Sequence, residues 1–345
     1  MDSVTHLNFN KHYTHLQNQQ IELIKEFNKR GIYQKIILHA NNKTFYDKIR
    51  WIENLDIYLS SFPTLSALVH SFDSKILLSM DKQSLKASFW LNFSFNIPYI
   101  ITKLDERKIK RSFFQNLYYK RAKAIFTPSE FIASDILFLP SIKEADIKIV
   151  PYMVSTYKKN ERFILGIRHK FKEHTIFGVI APFSEDFDYS SLVEVASIYE
   201  TRHQKTHFIF IGNGPQLSKV QQKAKGLSNI TFITNYDNIY EYISIFDLFL
   251  YPARSNGYNP ILLDVMNQEV TILASKAGSI PELIKHHKNG EIFPALTTSD
   301  IVESIDCLKH EKDLLAKYRK NSYHTLLEHT PAIIANRYIE VIFGE

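Results

Sequence analysis

The amino-acid sequence predicts an α/β protein built from two doubly wound, Rossmann-like domains that face a cleft. Its 345 residues exceed what one hydrophobic core usually organises, so two domains are expected. Strand-like apolar runs alternate with helix-like amphipathic segments in both halves, which is typical of parallel sheets with helices on both faces. A polar stretch after Pro151 separates the two series. Ligands of such domains bind at the carboxyl ends of the strands.

The alternation of strand-like and helix-like segments begins in the first half of the chain. This half is predicted to form the N-terminal domain, residues 1–154. An amphipathic helix is predicted over residues 17–30, because apolar residues recur there at helical spacing and Gly31 follows as a stop signal. The predicted strands of this half are 4–7, 35–39, 56–59, 75–79, 97–102, 124–127 and 147–150.

The second half repeats the pattern after a polar stretch, 157–162, that we interpret as a linker. We expect the boundary near Val154 and a C-terminal domain over residues 155–328. Its predicted strands and helices, in chain order, are 175–181, 189–202, 207–211, 215–225, 230–233, 238–245 and 248–251.

Composition indicates a globular protein of a reducing compartment. Apolar residues make up 45% and charged residues 23%, which is ordinary for a water-soluble domain. The single Cys307 excludes an intrachain disulfide and a zinc–cysteine cluster, and we expect it to be buried in a helix. No signal-peptide pattern and no run of about 18 apolar residues is present. The sequence therefore predicts a cytoplasmic protein.

Positive charge is concentrated in the first half, where residues 1–150 hold 21 basic against 14 acidic residues. The excess is densest between Lys103 and Lys123, where aromatic residues are interleaved. This segment fits either a solvated amphipathic helix or a helix that lies on an anionic membrane. No nucleic-acid motif accompanies the charge, so no nucleic-acid partner is expected. The basic residues are Lys103, Arg107, Lys108, Lys110, Arg111, Lys120, Arg121 and Lys123.

Residues 251–294 are the most informative stretch. They predict a strand end, a loop with Gly257, a helix over 260–267, a second strand over 270–274, and a loop with Gly278 before another helix. Helix N-termini present unpaired N–H groups and the positive end of the helix dipole. Two such junctions at one sheet edge favour binding of a phosphate or diphosphate.

The same stretch resembles the donor-binding segment of glycosyltransferase family 4, a group of retaining enzymes with the GT-B fold. The resemblance is carried by Asn256-Gly257-Tyr258-Asn259, Asp264-Val265-Met266 and Gly278-Ser279-Ile280-Pro281-Glu282. Further elements similar to the family, in the family's order, are 121–124 with 128–130, 148–151, 211–215 and 329–338. The resemblance implies that the last helix, within 329–345, crosses back to the N-terminal domain.

The resemblance also implies a nucleoside diphosphate sugar as the donor, with UDP as the expected nucleotide and no required metal or other cofactor. Asp264 would accept hydrogen bonds from the ribose hydroxyls, and Asn256 would lie near the hydroxyls of the donor sugar. The remaining expected donor-binding residues are Gly212, Asn213, Gly214, Pro215, Gly257, Tyr258, Asn259, Pro260, Lys276 and Gly278.

The sequence departs from the family at the residues that offset diphosphate charge. Pro182 and Phe187 stand where the family has an Arg and a Lys, and Asn256 replaces an acid. Charges in a low-dielectric site need partners, so we expect Arg254 or Lys276 to substitute. The candidate catalytic residues are Arg254, Asn256 and Asp105.

The acceptor side is expected in the N-terminal domain, where the family's Gly-Gly loop is absent. Residues 8–13 stand in its place. The candidate acceptor-side residues are His12, Tyr13 and Lys103, with Asp105 as the nearby acid; two histidines alone, His12 and His15, do not make a metal site.

Two functions remain open. One is a retaining transferase that moves a hexose to a glycan or lipid-linked acceptor, in bacterial surface polysaccharide or lipopolysaccharide synthesis, on the inner face of the plasma membrane. The other is a non-catalytic GT-B subunit that binds glycan or supports an active partner glycosyltransferase. The missing Arg and Lys motivate the second reading.

Overall fold

The computed structural model describes residues 3–234, 239–255, 257, 259–294 and 296–344, except for the side chain of His310. The chain forms two compact units. Unit 1 contains Met1–Ser155 and His329–Glu345, and unit 2 contains Thr156–Glu328. Among the described residues, no helix is long and apolar enough to cross a membrane.

Unit 1 is built on a seven-stranded parallel sheet in the order β3-β2-β1-β4-β5-β6-β7. Its inner strands are buried on both faces, because helices cover the sheet on either side. The strands are β1 (Ser3–Asn8), β2 (Gln34–His39), β3 (Leu55–Ser60), β4 (Ser74–Ser79), β5 (Tyr99–Thr102), β6 (Ala124–Thr127) and β7 (Ile147–Ile149).

Six helices connect these strands. Asp81 begins α4, since its carboxylate accepts hydrogen bonds from the backbone N–H groups of Gln83 and Ser84. Ser129 caps α6 in the same way. The helices are α1 (Asn18–Lys29), α2 (Lys43–Ile49), α3 (Pro63–His70), α4 (Lys82–Phe95), α5 (Phe113–Lys120) and α6 (Glu130–Leu137), with 3-10 turns at His15–Gln17 and Glu144–Asp146.

Unit 2 carries a six-stranded parallel sheet in the order β10-β9-β8-β11-β12-β13. Its strands are β8 (Thr175–Ile180), β9 (Thr206–Ile211), β10 (Ile230–Ile233), β11 (Leu248–Tyr251), β12 (Thr271–Ala274) and β13 (Glu291–Ile292). Its helices are α7 (Glu161–Lys170), α8 (Tyr189–Thr201), α9 (Leu217–Lys223), α10 (Ile239–Ile243), α11 (Ile261–Asn267), α12 (Ile280–Leu283), α13 (Thr298–His310) and α14 (Lys312–Leu327).

The last helix, α15 (Pro331–Phe343), belongs to unit 1, where it packs against α1. Ile334, Tyr338 and Ile342 enter one core cluster with residues of β1, α1 and β6. The rings of Tyr338 and Phe126 meet edge to face at 4.7 Å between centroids.

Three local expectations were wrong. Residues 103–112 form a loop, and only Phe113–Lys120 is helical within the basic segment. The stretch expected to be a linker ends early, because α7 already begins at Glu161. Cys307 is exposed, since it lies on the outer side of α13 while Ile301, Ile305 and Leu308 face the core.

A buried histidine in unit 1 is expected to make the fold sensitive to acid. His6 of β1 lies fully buried, with Nε2 2.9 Å from Gln34 Oε1. Burial outweighs this hydrogen bond and lowers the pKa of His6 from 6.5 to about 4. Between these pH values the unfolded chain binds a proton that the folded chain does not, so stability is complete above pH 6.5 and falls as the pH drops.

We therefore expect the free energy of unfolding to lose about 3 kcal/mol from this group by the time the pH reaches about 4. His6→Gln removes the titrating group, so urea titrations should show a shallower pH dependence for this variant than for the native chain. The free energy of unfolding is measured in steps of about half a pH unit. Equal slopes of this energy against pH for the two proteins, between neutral pH and about pH 4.5, would contradict the assignment.

Candidate functional site

The strand order of unit 2 reverses between β8 and β11. Strands β9 and β10 extend the sheet on one side of β8, whereas β11, β12 and β13 extend it on the other side. Doubly wound sheets bind ligands outside the carboxyl ends of their strands at such a switch point. Four loops meet at this edge of unit 2, and they follow β8, β9, β11 and β12.

The loop after β8 is joined to the loop after β11 by backbone hydrogen bonds. The Asp188 N–H donates to the Pro252 carbonyl at 2.9 Å, and the Arg254 N–H donates to the Asp186 carbonyl at 2.7 Å. The Ser255 hydroxyl also donates to the Asp186 carboxylate. These bonds fix the backbone on both sides of the switch point.

The glycine-rich loop 212–215 packs on the same β8 loop from the other side. The Phe183 N–H donates to the Asn213 carbonyl at 3.0 Å, and the Gln216 N–H donates to the Phe183 carbonyl at 2.9 Å. A Cβ atom at Gly214 would stand 2.5 Å from the Phe183 carbonyl oxygen, so only glycine permits this approach. Asn213 and Pro215 are exposed at the tip of the loop.

The loops after β11 and β12 also touch through a glycine. A Cβ atom at Gly257 would lie 2.2 Å from the Ala277 carbonyl oxygen. The Ser275 hydroxyl donates to the Ala253 carbonyl at 2.5 Å, which joins the two loops nearer the strands. Asn259 Oδ1 accepts a hydrogen bond from the Ile261 N–H at 3.0 Å. This bond holds the turn that leads into α11, whose N-cap residue is Pro260.

Arg254 places a guanidinium at this edge. Its Nη2 atom lies 3.0 Å from Asp188 Oδ1, and the Arg254 side chain is 55% exposed while that of Asp188 is 5% exposed. Asp188 is itself held by the Ser191 N–H and hydroxyl, where it caps α8. A guanidinium carries five N–H donors, so this ion pair leaves donors available for an anion.

The family's two cationic positions are occupied differently. Pro182 is exposed, and Phe187 is buried with its ring 5.3 Å from that of Tyr251. Lys276, in the loop that also contains Gly278, is exposed and has no charged partner among the described residues. Arg254 and Lys276 are thus the cations of these loops.

Asp264 lies in α11 and is completely buried. Burial raises the pKa of the neighbouring Tyr157 hydroxyl, and the charge of Asp264 raises it further. The Tyr157 ring stacks on Tyr240 at 3.8 Å between centroids. Asp264 thus lies close enough to Tyr157 for its charge to act on that hydroxyl. Asn256 and Tyr258, also expected at the donor site, lie outside the described residues.

Unit 1 has a cavity of about 660 Å³ at the carboxyl edge of its own sheet. The loops after β1, β4 and β5 surround it. The strand order of the sheet reverses at this place, between β1 and β4. Lys103 and Asp105 line the cavity. His12 is exposed and Tyr13 faces Phe45 and Lys48, so the structure does not bring these two into the described lining.

Asp105 is held between two cations. Its carboxylate pairs with the Lys103 ammonium through Oδ1 and with Arg107 Nη2 at 2.5 Å through Oδ2. Burial would raise the pKa of Asp105, but the charges of Lys103 and Arg107 outweigh burial and hold the pKa below its ordinary value. Asp105 is therefore ionised at neutral pH, in a form suited to positioning cations rather than to moving protons.

One group among the described side chains could ligate a metal ion, and it lies at the start of β13 and in the segment just before it. Ligand atoms of His286, His287 and Glu291 lie within 4.8 Å of one another. The Glu291 carboxylate is already engaged by both imidazoles, at 2.7 and 2.8 Å, and by the Tyr318 hydroxyl.

Sequence reasoning missed the acids that organise both edges. Asp186 and Asp188 bind the β11 loop, and Asp81 joins the β1 and β4 loops by accepting a hydrogen bond from the Phe9 N–H at 2.9 Å. The available signal was that Asp188 stands just before the predicted helix 189–202, which is the ordinary pattern of a helix cap, whereas no helix was predicted after Asp81. Lys11 and Lys82, which also line the unit 1 cavity, had no distinguishing signal.

Unit 2 has a doubly wound parallel sheet whose switch-point edge suits ligand binding, and comparison with known proteins shows what parts of the chain resemble. Residues 160–325, just under half of the chain, match the family model described as Glycosyl transferases group 1. The matched segment covers most of unit 2.

Two curated proteins are similar to parts of the chain. N-acetyl-alpha-D-glucosaminyl L-malate synthase of Bacillus anthracis is 27% identical over 108 residues, which cover 30% of this chain and 28% of that protein. The putative teichuronic acid biosynthesis glycosyltransferase TuaC of Bacillus subtilis (strain 168) is 22% identical over 135 residues, 39% of this chain and 34% of that protein. The matched segments span about a third or less of each relative's length.

A solved structure resembles the whole chain. Alr3699/HepE of Anabaena, in complex with UDP and glucose, superposes with a TM-score of 0.85, covers 100% of both chains and is 13% identical. At this identity the likeness concerns the fold. The predicted GT-B fold with two parallel-stranded, Rossmann-like sheets is confirmed.

Proposed function

We propose that this protein is an active glycosyltransferase that moves a hexose from a UDP-sugar to a glycan or lipid-linked acceptor with retention of configuration. The single observation that carries the proposal is the switch-point edge of unit 2, where four loops converge and Arg254 presents a partly free guanidinium. The UDP and glucose bound in the Anabaena structure, and the teichuronic acid role in the name of the Bacillus subtilis relative, support the donor and a polysaccharide product.

The chemistry assigned to the unit 2 edge is stabilisation of a leaving diphosphate. As the bond between the sugar C1 and the β-phosphate oxygen breaks, negative charge develops on the departing UDP. Arg254 and Lys276 offset that charge, and the acceptor hydroxyl oxygen forms the new bond to C1 while its proton passes to a phosphate oxygen of the departing UDP. Asp264 holds the ribose, and the glycine loop at 212–215 lets the backbone approach the nucleotide. No metal is required in this proposal, so transfer should persist in EDTA.

The first test is a thermal-shift panel of UDP, GDP, ADP, CMP and the matching sugar nucleotides. A ligand at one hundred times its dissociation constant stabilises the folded state by about 2.7 kcal/mol, which raises the melting temperature measurably. We expect UDP and one UDP-sugar to shift the melt, and that UDP-sugar to be hydrolysed slowly without acceptor. A panel in which no nucleotide shifts the melt would contradict the proposal and favour the non-catalytic subunit.

The proposal includes contact with an anionic membrane. The basic segment 103–123 is joined by an exposed apolar surface on α3, α4 and α5, which pack in series. We call this surface the aromatic face. Between Lys82 and Ser129 the sequence has ten basic residues and only two acids, Asp105 and Glu106. The members of the face are Phe62, Leu65, Val69, Phe72, Trp90, Phe93, Phe95, Phe113 and Phe114.

Ring contacts join neighbouring members of the aromatic face. Phe72 and Phe95 join α3 to α4 at 4.7 Å between centroids, and Trp90 and Phe93 meet at 5.9 Å. Phe113 is 75% exposed. Large exposed apolar patches mark interaction surfaces, and aromatic side chains beside Lys and Arg suit the interface of an anionic bilayer.

Removing three aromatic side chains is expected to weaken membrane binding. Trp90→Ser, Phe93→Ser and Phe113→Ser together should lower the partition coefficient on phosphatidylglycerol vesicles at least about tenfold, because apolar area no longer enters the interface. The matched control replaces three exposed apolar residues of unit 2, Leu165, Tyr323 and Leu327, with serine. Equal co-sedimentation of both triple variants would refute membrane contact through this face.

A further inference from the structure

The cavity of unit 1 carries an excess of positive charge that its own acids do not neutralise. Two of its lining residues, Asp81 and Asp105, are acidic, and six are basic: Lys11, Lys82, Lys103, Arg107, Lys108 and Lys110.

Both acids are committed to other partners. The Asp81 carboxylate accepts three backbone hydrogen bonds, from the N–H groups of Phe9, Gln83 and Ser84, each at 2.9 Å. Asp105 pairs with Lys103 and Arg107. The other four cations, Lys11, Lys82, Lys108 and Lys110, form no ion pair among the residues that the structure describes. Lys11 lies in the loop after β1, Lys82 begins α4, and Lys108 and Lys110 lie in the loop after β5.

A second, independent feature is a buried donor at the cavity wall. A chain of side-chain amides runs from Gln17 to Asn8 to Gln20, with hydrogen bonds of 2.9 and 2.8 Å. Gln20 accepts the last of these through Oε1 and is fully buried, and its Nε2 has no hydrogen-bond partner within the described part of the chain. Because an unsatisfied buried donor is costly, this N–H₂ group is suited to a ligand acceptor atom.

We propose that this cavity binds the acceptor substrate through a phosphate or diphosphate group, so that the acceptor is a phosphorylated saccharide or a saccharide–lipid phosphate. This inference rests on the proposed transferase function and names its acceptor class. Four ammonium groups from three separate segments suit a polyanion, because lysine acts as a mobile point charge toward phosphate oxygens. A volume of about 660 Å³ lies within the range of small-molecule sites.

Apolar side chains also line the cavity. Phe9, Leu16, Leu104 and Ile109 line it together with the charged groups. Such a wall suits a sugar ring or the first carbons of a lipid chain next to the phosphate.

The test uses inorganic pyrophosphate as the probe, with the full chain saturated with UDP so that the donor edge is occupied. Calorimetry should detect pyrophosphate binding that weakens as salt is added. The variant Lys11→Gln, Lys82→Gln, Lys108→Gln should raise the dissociation constant at least about tenfold, since three charge-assisted contacts are lost. The matched control, Lys43→Gln, Lys143→Gln, Lys148→Gln, makes the same change in net charge on exposed residues outside the cavity lining and should bind as the native chain does.

Gln20→Met tests the buried donor separately, because methionine keeps the volume and removes the N–H₂ group. We expect weaker pyrophosphate binding with an unchanged UDP-induced melting shift, which would show that unit 2 is intact. Equal pyrophosphate affinity in the cavity variant and its control would overturn the inference. A native chain that binds UDP but not pyrophosphate would also overturn it and leave the proposed function standing.

If UDP fails to bind, the proposed function fails by itself. Pyrophosphate binding that is lost in the cavity variant but kept in Arg254→Gln would then still support an anion site in unit 1. Two arms distinguish the source of the phosphate: glucose 1-phosphate as a soluble ligand, and phosphatidylglycerol vesicles presented to the variant that lacks Trp90, Phe93 and Phe113. If neither glucose 1-phosphate nor the vesicles show binding that depends on the cavity lysines, the proposal is contradicted.

Discussion

Replacing Arg254 with glutamine is expected to lower kcat/KM for sugar transfer by about a hundredfold to a thousandfold. Removal of one preorganised donor to a developing anion has effects of this size. The loss should appear mainly in kcat, because the charge that Arg254 offsets grows as the diphosphate departs. Steady-state kinetics with the UDP-sugar found in the thermal-shift panel measures it.

The matched control is Arg202→Gln. Arg202 forms an ion pair with Asp306 at 2.8 Å and is 45% exposed, so it resembles Arg254 in exposure and pairing but follows α8 at its far end. Its replacement should leave kcat/KM within about twofold, as expected of surface ion pairs.

A second comparison separates catalysis from neutralisation of Asp188. If Arg254 only neutralises that carboxylate, Asp188→Asn combined with Arg254→Gln should recover native activity. Recovery in the double variant would therefore contradict a role for Arg254 at the diphosphate, whereas persistent loss supports it.

Gly257→Ala should destabilise unit 2 by about 1–3 kcal/mol, because overpacking against rigid atoms forces the backbone to move. The new Cβ atom would lie 2.2 Å from the Ala277 carbonyl oxygen and 2.7 Å from Ile280 Cγ1. Since the loops after β11 and β12 would separate, the melting shift with UDP should fall as well. Urea titration and the nucleotide panel together measure the two effects.

Gly166→Ala is the control for the same chemical change. Gly166 lies in α7, and nothing stands within 4 Å of the Cβ atom that alanine would add. Alanine should stabilise this helix by about 0.5–1 kcal/mol. Destabilisation of both variants to a similar extent would contradict the claim that close loop contact selects glycine at position 257.

The alternation of apolar runs and amphipathic segments was sufficient to predict the fold class, because parallel strands buried on both faces leave a strong pattern. Strands such as Ala124–Thr127 and Leu248–Tyr251 begin and end where the pattern predicted. Cys307 shows a signal that was available but unused: Ile301, Ile305 and Leu308 share one face of α13, and position 307 does not lie on it.

Residues 103–112 could not be predicted as a loop, since long-range bonds hold them. The Tyr152 hydroxyl donates to the Leu104 carbonyl, and Asp135 accepts from the Ile109 N–H at 2.9 Å. Local composition does not report such partners. At the candidate site, glycine positions were visible as motifs, whereas the pairing of Arg254 with Asp188 and the basic cavity of unit 1 depend on which loops the topology brings together.

The two points where the backbone leaves unit 1 and returns to it are bonded to each other. The Val154 N–H donates to the His329 carbonyl at 2.9 Å, and His329 Nδ1 lies 2.7 Å from the Tyr152 carbonyl oxygen. Unit 2 is therefore an insertion in the sequence of unit 1, and the residues of unit 1 on either side of the insertion lie next to each other. Genetic exchange of one continuous segment, 156–328, would replace the whole of unit 2 while unit 1 kept its own core. A lineage with this connectivity can acquire a different unit 2 by a single recombination event.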